Sequence, residues 1–454
     1  MSHAASFRDP AGSVSITEDQ VLRTVYPDGF ANLRMWLESP GVQRFVGEGR
    51  AVATKQIQAN PTVLEHPRIP FISYPWEWPA AMLHAAGMLT LDLAEAVIEE
   101  GLRLKDATPL NVLFRGPAPV FIDVLSLQER GPRDPIWWAA AQFARTFLIP
   151  LLLYRRTGAP VHEIFLFHRD GLDPADAAKR LPALRRWLPP DLTLVTLPAR
   201  AAKLESAELY RQREARDAGE AQFIFSRRIR AFRRQMEMLA PEPRVSVWSE
   251  YENQCPSYTP AQREGRRSFV AKKLEELRPE RVLDIGANAG EFSLLAAKAG
   301  ARVVAIDSDP EVVSAVWRAV SAANADVLPL VVDFARPTPP AGWMGREHAG
   351  FLDRAAGHFD CVLMLALIHH LLVSERIPLD QILEAAAGLT TRWLVIEYVG
   401  PQDPMFRRLA RGREELHEWQ TRAVFEECAQ AHFEIADSVE TAEFRALYFL
   451  RRKA

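Results

Sequence analysis

Two stretches of the chain carry residue types and spacings that could do chemistry. In "GLRLKDATPLNVLFRGPAPVFIDV" (Gly101–Val124), Asp106 is followed five positions on by Asn111, and an apolar run then ends at Asp123. A base, a metal-binding amide and a metal-binding carboxylate in that order are what phosphoryl transfer requires. The second stretch is "VLDIGANAGEFS" (Val282–Ser293), a strand, a glycine turn and a helix start. Its glycines let backbone approach a ligand, and the helix start favours negative charge. Asp307 ends the next apolar run, "VVAIDSD", about 20 residues on, where a carboxylate can take a ribose diol. Asp333 ends the third, "LVVDF", placed to accept from an adenine amine. The fourth, "FDCVLMLALIHHL", runs into His369 and His370, and Glu397 closes a fifth, "VIEYV". Histidine has a suitable pKa to deprotonate a hydroxyl acceptor. The bland alternative is that both histidines start a helix and pack beneath it. Glu397 reads as a base or as an acceptor for loop amides.

These residues need elements to hold them. Downstream, "RVLDIG", "RVVAIDSD", "VLPLVVDF", "FDCVLML" and "WLVIEYV" alternate with helical segments. That alternation implies a mostly parallel sheet with helices on both faces, since parallel strands need crossover connections. Runs at Phe433–Val439 and Phe444–Leu450 are spaced for an antiparallel pair. Upstream, Val21–Pro79 shows short apolar runs with little helical period. "RIPFISYPWEWP" (Arg68–Pro79) reads as a strand entering a Pro-broken connection. Ala80–Gly101 reads as an amphipathic helix, and "VLF" and "PVFID" as a hairpin across a Gly-Pro turn. Helical patterns occupy Pro135 to about Trp187, and Lys203–Leu239 suggests one long helix before a Pro-rich linker at Ala240–Val247. The expected organisation is a flexible terminus (1–20), an α+β domain (21–200), a connecting helix and linker (201–245) and an α/β domain (246–454).

Composition narrows the function classes. The 454 residues are 48% hydrophobic and 25% charged with a formal net charge of −3, so no basic excess points to nucleic acid. The most apolar short run, Phe147–Tyr154, is far too short to span a bilayer, and no membrane partner is expected. Three scattered cysteines (Cys255, Cys361, Cys428) lack metal-ligand spacing and read as reduced thiols of a cytoplasmic protein. The stretch "MSHAASFRDPAGSVS" lacks a signal-peptide pattern. Oligomeric state is not readable.

From about Trp248 to Ala454 the chain resembles the class I S-adenosylmethionine-dependent methyltransferases. The glycine motif of that family, D-x-G-x-G-x-G, stands here as Asp284-Ile-Gly286-Ala-Asn288-Ala-Gly290, with Asn in place of the middle glycine. The resemblance implies S-adenosyl-L-methionine as cofactor and a Rossmann-like fold. It implies that Gly286 and Ala287 line the methionine part, that Asp307 takes both ribose hydroxyls, and that Asp333 with Phe334 frames the adenine. Asp284, Asn288, Gly290, Ser308 and Leu365 complete the implied cofactor set. His370, His369 and Glu397 are the candidate catalytic residues. In "WSEYENQCPSY" (Trp248–Tyr258), Tyr251 or Tyr258 could lid the cofactor.

Leu104–Val124 resembles the catalytic loop and metal-binding hairpin of protein kinases and aminoglycoside phosphotransferases. By that resemblance Lys55, in "AVATKQI", is the phosphate-binding lysine, and "FISYPWEW" precedes a hinge. The departures are large: no Asp-Phe-Gly follows, "GEGRAV" is a thin glycine loop, and too few residues separate Lys55 from the hinge for an orienting helix. The stretch therefore reads as a kinase-like fold without working phosphotransfer, in which Asp106, Asn111 and Asp123 serve stability or acceptor docking. The pairing of both regions also resembles a group of nodulation-type bacterial methyltransferases.

The expected function is methyl transfer to a small-molecule, glycan or carrier-bound acceptor, with the first domain shaping acceptor recognition. The rivals are a bifunctional or degenerate kinase, binding a magnesium nucleotide through Asn111 and Asp123, and a non-catalytic cofactor-binding scaffold. Ligands retained on purification would separate them.

Overall fold

The computed structural model describes residues 6–17, 20–202, 214–246 and 258–453. They form two compact units. The first is Met1–Glu242 with Gly342–His348; the second is Pro243–Ala341 with Ala349–Ala454.

In the first unit, β1 (Gly12–Ile16), β2 (Val21–Val25), β3 (Lys55–Ile57) and β4 (Asn60–His66) make an antiparallel sheet in the order β1-β2-β4-β3. Helices Phe30–Glu38 and Pro40–Gly47 lie between β2 and β3 in sequence, joined at Ser39, whose side chain caps the second. The weak helical period at Val21–Pro79 hid them because each spans about two turns. The strand expected from Arg68 is absent. β4 ends at His66, Pro67 and Pro70 cannot donate to a ladder, and the "YPWEW" segment makes a short 3-10 turn at Pro75–Glu77. The helix expected over Ala80–Gly101 is regular only through Ala96. β5 (Leu102–Leu104) pairs with β8 (Leu127–Glu129), and β6 (Val112–Arg115) with β7 (Ala118–Phe121), the expected hairpin. Of the long helix expected over Lys203–Leu239, Ala218–Met238 is helical, residues 214–217 are not, and 203–213 lie outside the described residues.

The second unit is built on a seven-stranded sheet in the order β11-β10-β9-β12-β13-β15-β14. The strands are β9 (Arg281–Ile285), β10 (Arg302–Asp307), β11 (Val327–Val331), β12 (Phe359–Met364), β13 (Thr390–Val399), β14 (Phe433–Ala442) and β15 (Arg445–Arg452). β9 to β13 are parallel; β15 is antiparallel to both neighbours. β11 and β12 are buried at every position, as strands covered on both faces must be. Pro329 is tolerated because β11 is an edge. At the other edge β14 is mostly exposed and carries Glu434, Asp437 and Glu440, charges that discourage pairing with another chain. Helix Pro260–Leu277 precedes β9 with a Thr259–Gln262 capping box. The order reverses between β9 and β12, so the C-terminal ends of β9, β10, β12 and β13 lie at the switch point where open α/β sheets bind ligands.

Candidate active site

The loop after β9 is set by backbone conformation. Gly286 (φ 72°) and Gly290 (φ 76°) are left-handed, and a Cβ on Gly290 would lie 3.0 Å from the Val316 side chain. Asn288 is also left-handed (φ 43°). Asn is among the few non-glycine residues that enter this region readily, so it can replace the middle glycine. The amides of Gly286 and Ala287 both donate to Ile306 O, at 2.9 and 3.0 Å, which ties the loop to β10.

Asp307 is the keystone of this corner. One carboxylate oxygen accepts from the Asn288 amide and the other from the Asp309 amide, both at 3.0 Å. Burial raises its pKa above the usual carboxylate range, opposed by those backbone donors. Each oxygen keeps a further lone pair, and the residue is only part-buried, so a vicinal diol can donate to it. Asp309 caps the next helix through the amides of Glu311 and Val312, and Ser308 between them is exposed. Asp333, beyond β11, accepts from the Ala335 amide at 2.9 Å and lies 3.3 Å from Arg336, with Phe334 part-buried beside it. Asp284 is turned inward: its carboxylate accepts from Ser293 Oγ at 2.6 Å, and burial pushes its pKa up to about 6. It braces the loop against the following helix. Leu365, at the end of β12, is buried. A glycine-lined backbone loop, a diol acceptor and an amine acceptor at successive strand ends fit S-adenosylmethionine.

Past β12, His369 is fully buried and neither ring nitrogen has a hydrogen-bond partner among the described residues. Burial, then the neighbouring His370, hold its pKa well below the ordinary histidine value. His370 lies 4.3 Å away, ring centre to ring centre, is part-buried, and is lowered to about 4 by burial and by the Arg445 charge. Both imidazoles are therefore neutral at pH 7. Glu397 Oε2 accepts from the Ala366 amide at 2.8 Å and pairs with Arg266 at 3.0 Å. Its Oε1 is buried without a partner among the described residues, and burial pushes the carboxyl up to about 7.

Sequence reading missed the cations around this corner. Arg445 makes a buried two-point pair with Asp403 (2.8 and 2.9 Å) and donates to Tyr258 Oη at 3.1 Å. The Tyr258 ring lies 4.9 Å from Arg445 and 5.4 Å from Arg266. No local spacing marks Arg266 or Arg445, which reach the site from a helix and a late strand. Tyr258 thus belongs to this corner; Tyr251 lies outside the described residues.

Comparison with known proteins accords with this geometry. Residues 262–440 match the family model described as a methyltransferase domain. The chain is an S-adenosylmethionine-dependent methyltransferase. Over 430 residues it is 32% identical to the nodulation protein NoeA of Rhizobium meliloti (strain 1021), covering 91% of this chain and 88% of that protein. It belongs to the family of that protein. Among solved structures, it is similar to the N-methyltransferase NodS of Bradyrhizobium japonicum WM9 (13% identity, 43% of this chain, 98% of the other, TM-score 0.31). It is also similar to the magnesium protoporphyrin IX methyltransferase of Synechocystis PCC 6803 (16% identity, 49% and 91%, TM-score 0.31). No helix among the described residues is long and apolar enough to cross a membrane.

Proposed function

We propose that the chain transfers a methyl group to a small-molecule, glycan or carrier-bound acceptor, and that the first unit shapes recognition of that acceptor. The observation that carries the cofactor half of this reading is the Asp307 carboxylate, held by two backbone amides at the end of β10 with lone pairs to spare. In this reading Asp307 takes the ribose diol and Asp333 with Phe334 holds the adenine. The Gly286–Ala287 backbone and Leu365 line the methionine part. When bound, the cofactor supplies an electrophilic methyl group with a neutral leaving group. The protein must then align the acceptor and exclude water.

A hydroxyl acceptor must also lose a proton. His370 suits that role, being neutral and only part-buried, whereas His369 is sealed in. Glu397 is already committed to the Ala366 amide and Arg266, which supports a positioning role for it. The test is a screen of glycan, amine and carrier-bound acceptors with a labelled methyl donor. Label transferred to one class, and lost on Asp307→Ala, supports the reading. Donor binding without transfer to any class would favour a cofactor-binding scaffold.

A further inference from the structure

None of the residues assigned to methyl transfer lies on helix Ala218–Met238, and the charge of that helix is lopsided. Between Glu220 and Glu237, residues 221–236 hold five arginines and no acid, in a chain of net charge −3. Ala221, Phe225, Ile229, Phe232 and Met236 are buried, at the three- and four-residue spacing of a single stripe. Arg233 borders that stripe and is matched, pairing with Asp92 at 2.6 Å and Glu95 at 2.8 Å. The core-facing side thus accounts for one arginine of the five.

The outward stripe is different. Phe223, Arg227, Arg230, Arg234 and Met238 follow one another at steps of three or four residues, so they share one face. All five are exposed, and so are Ile224 and Arg228 beside them. Phe223 is 59% exposed and Met238 53%. Among the described residues no carboxylate pairs with Arg227, Arg228, Arg230 or Arg234. Arg230 reaches the Ser226 carbonyl at 3.4 Å, and Arg228 lies 5.8 Å from the Phe232 ring centre. Glu220 is already bonded to Arg216, at 3.1 Å. Like charges three or four residues apart on a helix repel, so this stripe costs stability until an anion covers it. A face built only for water interleaves acids with its bases.

We infer that the outward face of helix Ala218–Met238 lies flat on an anionic phospholipid surface. Its arginines meet lipid phosphates, and Phe223, Ile224 and Met238 enter the boundary between headgroups and acyl chains. A guanidinium grips phosphate oxygens at two points, while its alkyl stem lies along hydrocarbon. The apolar residues decide between anions. A free polyphosphate would satisfy the arginines but leave Phe223, Ile224 and Met238 in water. A protein partner would need a pocket for each protruding side chain, whereas lipid needs no such fit. The expected absence of a membrane partner rests on span length alone. A helix resting on the surface does not cross the bilayer, so the lack of a spanning helix among the described residues does not bear on it.

The experiment is co-sedimentation of the full chain with vesicles of phosphatidylcholine alone, or mixed equally with phosphatidylglycerol, at low and high salt. Expected is at least tenfold tighter binding to the anionic vesicles, weakening as salt screens the charges. An arginine near such a surface contributes roughly fivefold, so Arg227→Glu combined with Arg234→Glu should lose tenfold or more. Phe223→Ser should lower affinity severalfold on the same vesicles. No binding to anionic vesicles, equal binding to neutral ones, or unchanged binding in the double variant would each overturn the inference. Unchanged affinity in Phe223→Ser, or tighter binding to soluble polyphosphate than to vesicles, would overturn it in favour of a free polyanion. The unsubstituted chain alone can defeat it, so a variant that fails to fold does not rescue it. S-adenosylmethionine affinity measured on the same samples is independent: its loss would count against the methyltransferase site and not against this face.

Discussion

Asp307 in the second unit and Asp123 in the first both sit at the end of a strand, yet they are held differently. Asp307 is fixed by two backbone amides within two residues of it or in the adjacent glycine loop. Asp123 accepts one local amide, from Leu125 at 3.2 Å, and its balancing charge is Arg23, a hundred residues earlier, at 3.8 Å. A carboxylate held by backbone survives any change of distant side chains. One balanced by a remote guanidinium depends on the whole fold of its domain. The first arrangement suits a site that must be rigid before its ligand arrives.

The largest effect expected in the second unit is catalytic. With a hydroxyl acceptor, His370→Ala should lower turnover by about 10²–10⁴ with donor affinity unchanged. Equal steady-state turnover in the variant and parent would make the histidine pair structural. Next comes the backbone-held carboxylate. Asp307→Ala should weaken S-adenosylmethionine binding by about 1–3 kcal/mol, because the Asn288 and Asp309 amides lose their acceptor together with the diol. Calorimetry showing full affinity would remove Asp307 from the site and dissolve the contrast with Asp123.

A third effect is on stability. His370 titrates near 4 when folded against an ordinary value of 6.5. The unfolded chain therefore takes up the proton first as pH falls. The stabilisation is complete above about pH 6.5 and is lost towards pH 4, with about 2 kcal/mol gone by pH 5. Thermal melts from pH 7.5 to 4.5 should show a shallower acid limb in His370→Gln; identical limbs would mean the ring is not sequestered. The smallest effect is local. A fragment starting near Ala240 should fold and bind the cofactor, since about 200 residues can bury an adequate core. Its Gly342–His348 amides should exchange faster than in the full chain while those of β9 to β13 stay protected. Aggregation of the fragment would show the two units to be one folding unit.

The same contrast explains what was legible in the sequence. The cofactor corner could be read because its determinants are short-range: glycines in a turn, an acid at the end of each apolar run, and strands buried on both faces. Arg23 could not be read, because its partner Asp123 stands a hundred residues on, past a strand of a different sheet, and Lys55 lay nearer to the expected spacing. Arg266 and Arg445 were missed for the same reason. The helices at Phe30–Glu38 and Pro40–Gly47 were too short to show a period. The strand expected from Arg68 failed because apolar content outweighed, wrongly, the missing donors of Pro67 and Pro70.

The Gly342–His348 excursion bears on how the protein is made. Its His348 ring packs edge-on against Tyr74 (5.0 Å) and Trp76 (5.2 Å), which stack on each other, and Glu347 pairs with Arg8. The first unit's aromatic cluster is thus completed by residues that lie within the second unit's stretch of sequence. On the ribosome, the N-terminal part is finished at Glu242, but its last piece emerges about 100 residues later, roughly 5–20 s at ordinary elongation rates. During that interval Tyr74 and Trp76 lack one of their packing partners. Synthesis speed across the codons for residues 243–348 therefore sets how long the early domain stands open to chaperones or to misplaced contacts.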